Sequence, residues 1–196
     1  MRFQLSAAPT LEPVTEAELI SHSQLGELPD DQLMAARAMI VAARQWVENR
    51  LSRQLVTATW IAHLDTFHEV IEIRNKLPIK TISSIKYYDS TDVQQTLSSS
   101  LYQADLISEN CPPRIESISG QSWPLTYDRM NAVAITFTAG YGATAESVPL
   151  GIRHAILMLA GTWFEHRENE VIGTITSKVQ TGVEMCLQPF DWGQYS

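Results

Sequence analysis

The clearest hydrophobic pattern in the chain is helical and runs from Asp31 to about Arg53. Apolar residues recur at steps of three and four positions, which places them on one side of a helix. Asp30 and Asp31 lie at the start, where the helix dipole favours carboxylates. The apolar stripe consists of Leu33, Ala36, Ile40, Ala43, Val47 and Leu51. We therefore predict a long helix with one buried face.

A shorter helix is predicted before it, from Glu16 to about Ser23. Thr15 and Glu18 have the spacing of a capping box, in which each side chain accepts a hydrogen bond from a backbone N–H at the helix start. Gly26 and Pro29 then interrupt the helical pattern.

The pattern changes between residues 55 and 140, where apolar and polar residues alternate among β-branched and aromatic side chains. This alternation is typical of strands with one buried face. One strand is predicted to end at Tyr88, before a turn at residues 89–92. We interpret residues 55–140 as an antiparallel β module.

The last strand of this module ends in Gly140-Tyr141-Gly142. We expect the two glycines to adopt backbone conformations that other residues avoid, so that the chain can leave the sheet. Tyr141 is expected to pack over this junction.

A second long helix is predicted after the junction, with Ser147 as its cap and Pro149 in its first turn. Its apolar stripe consists of Ile152, Ile156, Leu159 and Trp163. The two long helices are expected to pack together although the β module separates them in sequence.

These patterns predict an α+β protein with a helical core and an inserted antiparallel β module. The predicted divisions are an N-terminal helical part (1–54), the β module (55–142), the C-terminal helix of the core (143–170) and a C-terminal arm (171–196).

The amino-acid composition argues against one class of function, the tight binding of nucleic acid. The chain has 196 residues, 44% of them apolar, and a formal net charge of -8 at pH 7. A protein that grips nucleic acid by neutralising phosphates needs the opposite charge. The first 31 residues contain one basic residue, Arg2, and six acidic ones: Glu12, Glu16, Glu18, Glu27, Asp30 and Asp31.

The sequence shows neither a membrane-spanning run of about 20 apolar residues nor the apolar core of a signal peptide at its start. We therefore expect a product that is made in the cytoplasm and does not enter a membrane. Cys111 and Cys186 lack the spacing of a disulfide framework or a zinc site, so two unpaired thiols are expected.

The search for chemistry finds no nucleophile elbow, metalloprotease helix or phosphate-binding loop. His154 and His166 lie about 120° apart around one helix and cannot share a ligand. Two other sets are weak candidates for acid–base or metal chemistry, and for both a structural or surface role is favoured. These sets are His63, Asp65 and His68, and Glu165 with Glu168. No cofactor and no metal are predicted.

Aromatic residues at the C-terminus offer a candidate interaction site: Phe190, Trp192 and Tyr195. In one interpretation this segment folds back and covers the helical core. In the other it is a docking peptide, because aromatic side chains are common interface anchors. The sequence leaves both open.

Several segments, taken in order, resemble the head–tail connector proteins of long-tailed bacteriophages, also called adaptor or head-completion proteins. They include "PVTEAELISH", "LMAARAMIVAARQWVENRLSRQLVTATW", "LPIKTISSIKYYD", "YQADL" and "SWP". "DRMNAVAITFTAGYG", "VPLGIRHAILMLAGTWFEHRE" and "GVEMCLQPF" continue the series. The resemblance covers nearly the whole chain and lies in the order of many short matches.

The resemblance implies a structural virion protein without an active site, located in the neck between head and tail. It implies a homo-oligomeric ring of twelve copies beneath the portal protein, followed by a stopper or tail-completion protein and traversed by double-stranded DNA. The aromatic arm then becomes a candidate portal-docking segment. The candidate channel-lining carboxylates are Glu16, Glu18, Glu27, Asp30 and Asp31.

Three alternatives remain. The chain could form the next ring, as a stopper or tail-completion protein. It could be a small enzyme that uses the His63, Asp65 and His68 neighbourhood, or a binding module that forms no ring. The carboxylates could likewise serve only to keep the free protein soluble.

Overall fold

The computed structural model describes residues 1–107, 111–165 and 181–191. Two compact units are present, and the chain passes between them three times. The β unit comprises Met1–Pro9 and Thr57–Gly140, and the helical unit comprises Thr10–Val56 and the described residues from Tyr141 onward. The α+β class predicted from the sequence is confirmed. The structure places residues 1–9 with the strands, whereas the sequence pattern grouped residues 1–54 with the helices.

The helical unit contains α1 (Glu16–His22), α2 (Asp30–Leu51) and α3 (Leu150–Glu165). Residues 181–187 are also helical. The predicted capping box is confirmed, since the backbone N–H of Glu18 donates to Thr15 Oγ1 at 3.2 Å and that of Thr15 donates to Glu18 Oε2 at 2.8 Å.

The predicted stripes of α2 and α3 form most of the core of this unit. From α2 it contains Ala36, Ile40, Ala43, Val47 and Leu51, and from α3 Ile152, Ala155, Ile156, Leu159, Ala160 and Phe164. The two long helices therefore pack against each other through the faces that the sequence indicated.

The β unit contains two antiparallel sheets. The first has the order β1-β2-β8-β4-β5, and the second has the order β3-β7-β6. The strands are β1 (Arg2–Ala7), β2 (Ala58–Leu64), β3 (Val70–Glu72), β4 (Ile79–Tyr88), β5 (Gln94–Thr96), β6 (Tyr102–Asp105), β7 (Arg114–Ser117) and β8 (Val133–Ala139).

Strand β8 lies in the middle of the larger sheet and shows the predicted alternation. Its buried side chains are Val133, Ile135, Phe137 and Ala139. Strand β1 was not predicted. It pairs with β2, and Phe3 meets Phe137 edge-to-face with ring centroids 6.4 Å apart. Strand β4 ends at Tyr88, as predicted, and a hydrogen-bonded turn follows it.

The two junction glycines serve different purposes. Gly140 has φ = 126°, so the expectation of an unusual backbone is confirmed there. It is wrong for Gly142, which has no positive φ. A Cβ at Gly142 would lie 2.5 Å from Ser147 Cβ and closer still to its hydroxyl, so this position excludes a side chain by contact.

Ser147 does not cap the second long helix, and that prediction is wrong. Ser147 ends a separate 3-10 turn, Ala145–Ser147, and its hydroxyl lies 3.1 Å from that of Thr144. Helix α3 begins at Leu150, after Pro149, because the carbonyl of Pro149 accepts from the N–H groups of Ile152 and Arg153.

Candidate interaction surfaces

The weak candidate cluster in the β unit has structural partners. His63 Nε2 lies 3.0 Å from Gln4 Oε1, which links β2 to β1, and Asp65 Oδ1 accepts from the backbone N–H of Asn131 at 2.7 Å. His68 is exposed. No three potential metal ligands converge anywhere in residues 1–107, 111–165 and 181–191. In that part of the chain, no helix is both long enough and apolar enough to cross a membrane.

The candidates on α3 do not form a site among the described residues. His154 is exposed and packs edge-to-face on His22 of α1, with ring centroids 5.2 Å apart. Glu165 is exposed at the end of α3. His166 and Glu168 lie outside the described residues. Cys111 and Cys186 are free thiols, as the sequence indicated.

The C-terminal segment, defined here as residues 181–191, packs into the helical unit. Val183 and Leu187 are buried in the helical core. Phe190 packs on α3, where a Cβ at Gly151 would lie 3.2 Å from its ring. Phe190 is therefore part of the intramolecular packing, and Trp192 and Tyr195 lie outside the described residues.

Two arginines near the end of α2 hold this segment. Arg50 donates to both carboxylate oxygens of Glu184 at 3.1 and 2.8 Å, and to Asp191 Oδ2 at 3.0 Å. Hydrogen bonds to Glu184 and then to Asp191 raise the pKa of Arg50 above its ordinary value. A bidentate arginine–carboxylate pair fixes orientation better than a single contact does.

The second of these arginines, Arg53, is fully buried. Its Nε donates to the backbone carbonyl of Phe190 at 2.9 Å, and its guanidinium carbon lies 5.8 Å from the centre of the Tyr141 ring. Burying a charged group is costly unless it is hydrogen-bonded. Arg53 thus connects the chain just after α2 to the C-terminal segment.

Glu48 organises the polar interior beside Arg53. Its carboxylate accepts from the side chain of Gln54 at 2.8 Å, from the backbone of Leu55 at 3.0 Å and from Arg44 at 2.6 Å. Burial acts to lower the pKa of Arg44, but the carboxylates of Glu48 and Glu12 outweigh it and raise that pKa. These bonds fix the chain where it leaves α2.

Two of the five candidate channel carboxylates are bound internally. Glu16 pairs with Arg37. The pKa of Glu16 is lowered first by a hydrogen bond that its carboxylate accepts from its own backbone N–H, and then by that arginine. Glu18 pairs with Arg153 in addition to its role in the capping box.

The other three carboxylates point to solvent. Glu27, Asp30 and Asp31 are exposed where α1 connects to α2, and none forms an ion pair with a described residue. The basic side chains described in the helical unit all have internal acceptors: Arg37, Arg44, Arg50, Arg53 and Arg153. Within the part of the helical unit that the structure describes, no basic side chain compensates the negative charge at this corner.

The described residues define an α+β protein in which the long helices and the C-terminal segment form one unit and two antiparallel sheets form the other. No protein-family model and no curated protein sequence matches this chain.

Solved structures do match it. A chain in "Neck of empty GTA particle computed with C6 symmetry" is 21% identical, with a TM-score of 0.75 and coverage of 95% of both chains. A chain in "Neck of native GTA particle computed with C12 symmetry" is also 21% identical, with a TM-score of 0.73 and coverage of 100% of this chain and 98% of that one. A chain in "Virion of native gene transfer agent (GTA) particle" is likewise 21% identical, with a TM-score of 0.75 and coverage of 94% of both chains. At 21% identity, this likeness shows that the chain shares its fold with chains of these particles.

Proposed function

We propose that this chain is a structural protein of the neck of a phage-like particle, made in the host cytoplasm and incorporated at the head–tail interface. The observation that carries the proposal is the likeness in fold to chains of gene transfer agent necks along 94–100% of this chain. A likeness that includes both units is more informative than one confined to a common helical pair.

In finer detail, the chain forms a ring under the portal that connects the DNA-filled head to the tail and extends the DNA channel. We expect the ring to contain twelve copies, because this fold occurs in a neck that was computed with C12 symmetry. The density of a ring with twelve-fold symmetry is preserved when it is averaged with C6 symmetry. The density of a ring of only six copies would be blurred by averaging with C12 symmetry. The matches to necks computed both ways therefore favour twelve copies over six.

The proposed ring has no active site and works through surfaces. Glu27, Asp30 and Asp31 are the carboxylates best placed to line the channel, because they are exposed and form no ion pair with a described residue. A negative bore repels DNA phosphates, so that DNA passes without being held. Trp192 and Tyr195 remain the candidate portal-docking residues, following directly on the anchored segment 181–191.

The proposal is tested by deleting the gene for this chain in a host that produces the particles and restoring it on a plasmid. We expect the deletion to yield DNA-filled heads separated from tails, and restoration to yield joined particles that contain the chain. Tailed particles from the deletion strain, or restored particles without the chain, would contradict the proposal.

A second arm of this experiment addresses the enzyme alternative. Replacing Asp65 and His68 with Asn should leave both the assembly and the function of the particles unchanged, whereas an enzyme would lose its activity while the virion assembles normally. A ring found one position further from the portal would assign the chain as a stopper or tail-completion protein instead.

A further inference from the structure

A loop in the β unit displays large apolar side chains to solvent. Residues 119–131, here called the apolar loop, lie between β7 and β8. Leu125 is 83% exposed, Met130 is 70% exposed and Tyr127 is 42% exposed. Several exposed apolar residues on one segment are a common feature of interaction sites on soluble proteins.

The first half of the apolar loop is fixed to the sheets beneath it. The indole of Trp123 stacks on the Phe67 ring, with centroids 4.8 Å apart and planes 3° from parallel, and its Nε1 donates to the carbonyl of Glu69 at 3.2 Å. The backbone N–H of Tyr127 donates to the carbonyl of Tyr88 at 3.0 Å. Leu125 is thus held between two anchored positions.

The second half is fixed equally well. Arg129 donates to Asp92 Oδ1 at 2.8 Å, and its guanidinium lies 4.0 Å above the ring of Tyr88. The backbone N–H of Asn131 donates to Asp65 at 2.7 Å, which explains the position of that aspartate. Because so many contacts already order the loop, little conformational entropy would be lost when its exposed side chains are buried by a partner.

We propose that the apolar loop contacts the next copy of this chain, with Leu125 and Met130 buried against the neighbouring subunit of a ring. The inference rests on the proposed neck function. In a closed ring each subunit offers one surface to its neighbour on one side and a different surface to its neighbour on the other. A rigid apolar loop can supply the anchoring side chains of such a contact.

Electrostatics favours a second copy over a different partner. The apolar loop contains one acidic residue, Asp128, and one basic residue, Arg129, so its formal charge is zero in a chain of net charge -8. Copies of an acidic chain repel each other, and this repulsion is weakest where an uncharged surface makes the contact. A basic partner would instead be attracted to exposed carboxylates such as Glu27, Asp30 and Asp31.

The contact is tested by site-specific photo-crosslinking in assembled particles. In one strain, the only copy of the chain carries Leu125→benzoylphenylalanine. In the control strain it carries Met34→benzoylphenylalanine, because Met34 is 71% exposed but lies on α2 and not in the apolar loop. Irradiation should give covalent dimers and higher multiples of this chain from position 125, with about tenfold less from position 34.

The possible results of the crosslinking experiment lead to different conclusions. A crosslink from position 125 to another virion protein, or no crosslink in particles that contain the chain, would overturn the inference while leaving the neck function standing. Particles that assemble without the chain would overturn both.

A charge substitution provides an independent readout. The double variant Leu125→Asp, Met130→Asp should keep the melting temperature of the purified chain, because both side chains are exposed. Its incorporation into particles should fall about tenfold or more, because burying two unpaired carboxylates at a contact is costly. Met34→Asp should keep normal incorporation. Normal incorporation of the double variant would contradict the inference.

Discussion

Arg53 is fully buried and donates a hydrogen bond from Nε to the carbonyl of Phe190, 137 positions later in the chain, at 2.9 Å. This bond joins the end of α2 to the C-terminal segment, residues 181–191. Since Arg50 holds Glu184 and Asp191 on the same segment, the last described residue has a fixed position on the helical unit. Any partner contact by residues 192–196 therefore begins from an anchored point.

Arg53→Met should destabilise the helical unit by about 2–4 kcal/mol, because it leaves a buried carbonyl without its donor and removes a buried charge from its partners. Arg37→Met, on α2, is the matched control. The side chain of Arg37 is 67% exposed, so its ion pair with Glu16 should contribute less than about 1 kcal/mol. Urea unfolding, with hydrogen exchange at residues 183–187, measures both. Equal effects of the two substitutions would contradict the anchoring role.

Gly142→Ala should destabilise the helical unit by about 1–3 kcal/mol, because the added methyl group overlaps with Ser147. Adding Ser147→Gly should recover part of that loss, since it removes the atoms that the methyl group meets. Gly26→Ala is the control, because nothing lies within 4 Å of a Cβ there, and it should be neutral or slightly stabilising. Thermal unfolding of the two single variants and the double variant gives the coupling. Strict additivity would contradict the contact.

The ionisation of Asp89 is expected to make the stability of the turn between β4 and β5 depend on pH. Its carboxylate accepts from the Thr91 hydroxyl at 2.6 Å, from the Gln95 side chain at 2.9 Å, and from the N–H groups of Thr91 and Val93 at 2.9 and 3.2 Å. These bonds, the Thr91 hydroxyl first, hold the pKa of Asp89 well below its ordinary value.

Because the folded pKa is lowered, the stabilisation is complete above the unfolded pKa of about 3.9 and is lost as the pH falls toward the folded value. Asp89→Asn should therefore be less stable than the natural chain at pH 7, and the difference should shrink below about pH 4. Thermal unfolding across this range tests it. Asp128→Asn, at an exposed carboxylate with no hydrogen bond to a described residue, is the control and should be as stable as the natural chain at pH 7. A difference for Asp89→Asn that is independent of pH would count against the proposed role.

The structure also changes which truncation tests the docking arm. Removing residues 182–196 would remove Val183 and Leu187 from the core, so we expect it to unfold the helical unit. Removing only residues 192–196 should leave the melting temperature unchanged and prevent incorporation into particles. Incorporation of the shorter chain at the normal level would rule out Trp192 and Tyr195 as required docking residues.

The pattern of apolar and polar residues predicted those helices and strands in which buried side chains recur at a regular spacing. Helix α2 and strand β8 follow periods of 3.6 and two residues, and both were identified from the sequence. Strand β1 was missed although Phe3 and Leu5 alternate with polar residues in "RFQLSA", because a strand at the start of a chain is defined by its distant partner, β2. Val183 and Leu187, four positions apart, carried a helical signal within the presumed arm.

The candidate surfaces were harder to predict because they depend on which charges are neutralised. Sequence alone treated Glu16, Glu18 and Glu27 alike, whereas the structure pairs the first two with Arg37 and Arg153 from other helices. The apolar loop is likewise recognisable only when the exposure of Leu125 and Met130 is known. Residue type limits what a surface can do, and tertiary contacts decide which residues remain available.

The central claim is tested most directly by electron cryomicroscopy of intact particles at a resolution that separates the subunits of the neck. The account predicts a ring of twelve copies of this chain beneath the portal, with Glu27, Asp30 and Asp31 near the DNA and the apolar loop against the adjacent copy. A neck in which this chain is absent, or present only as an isolated copy outside any ring, would contradict the account.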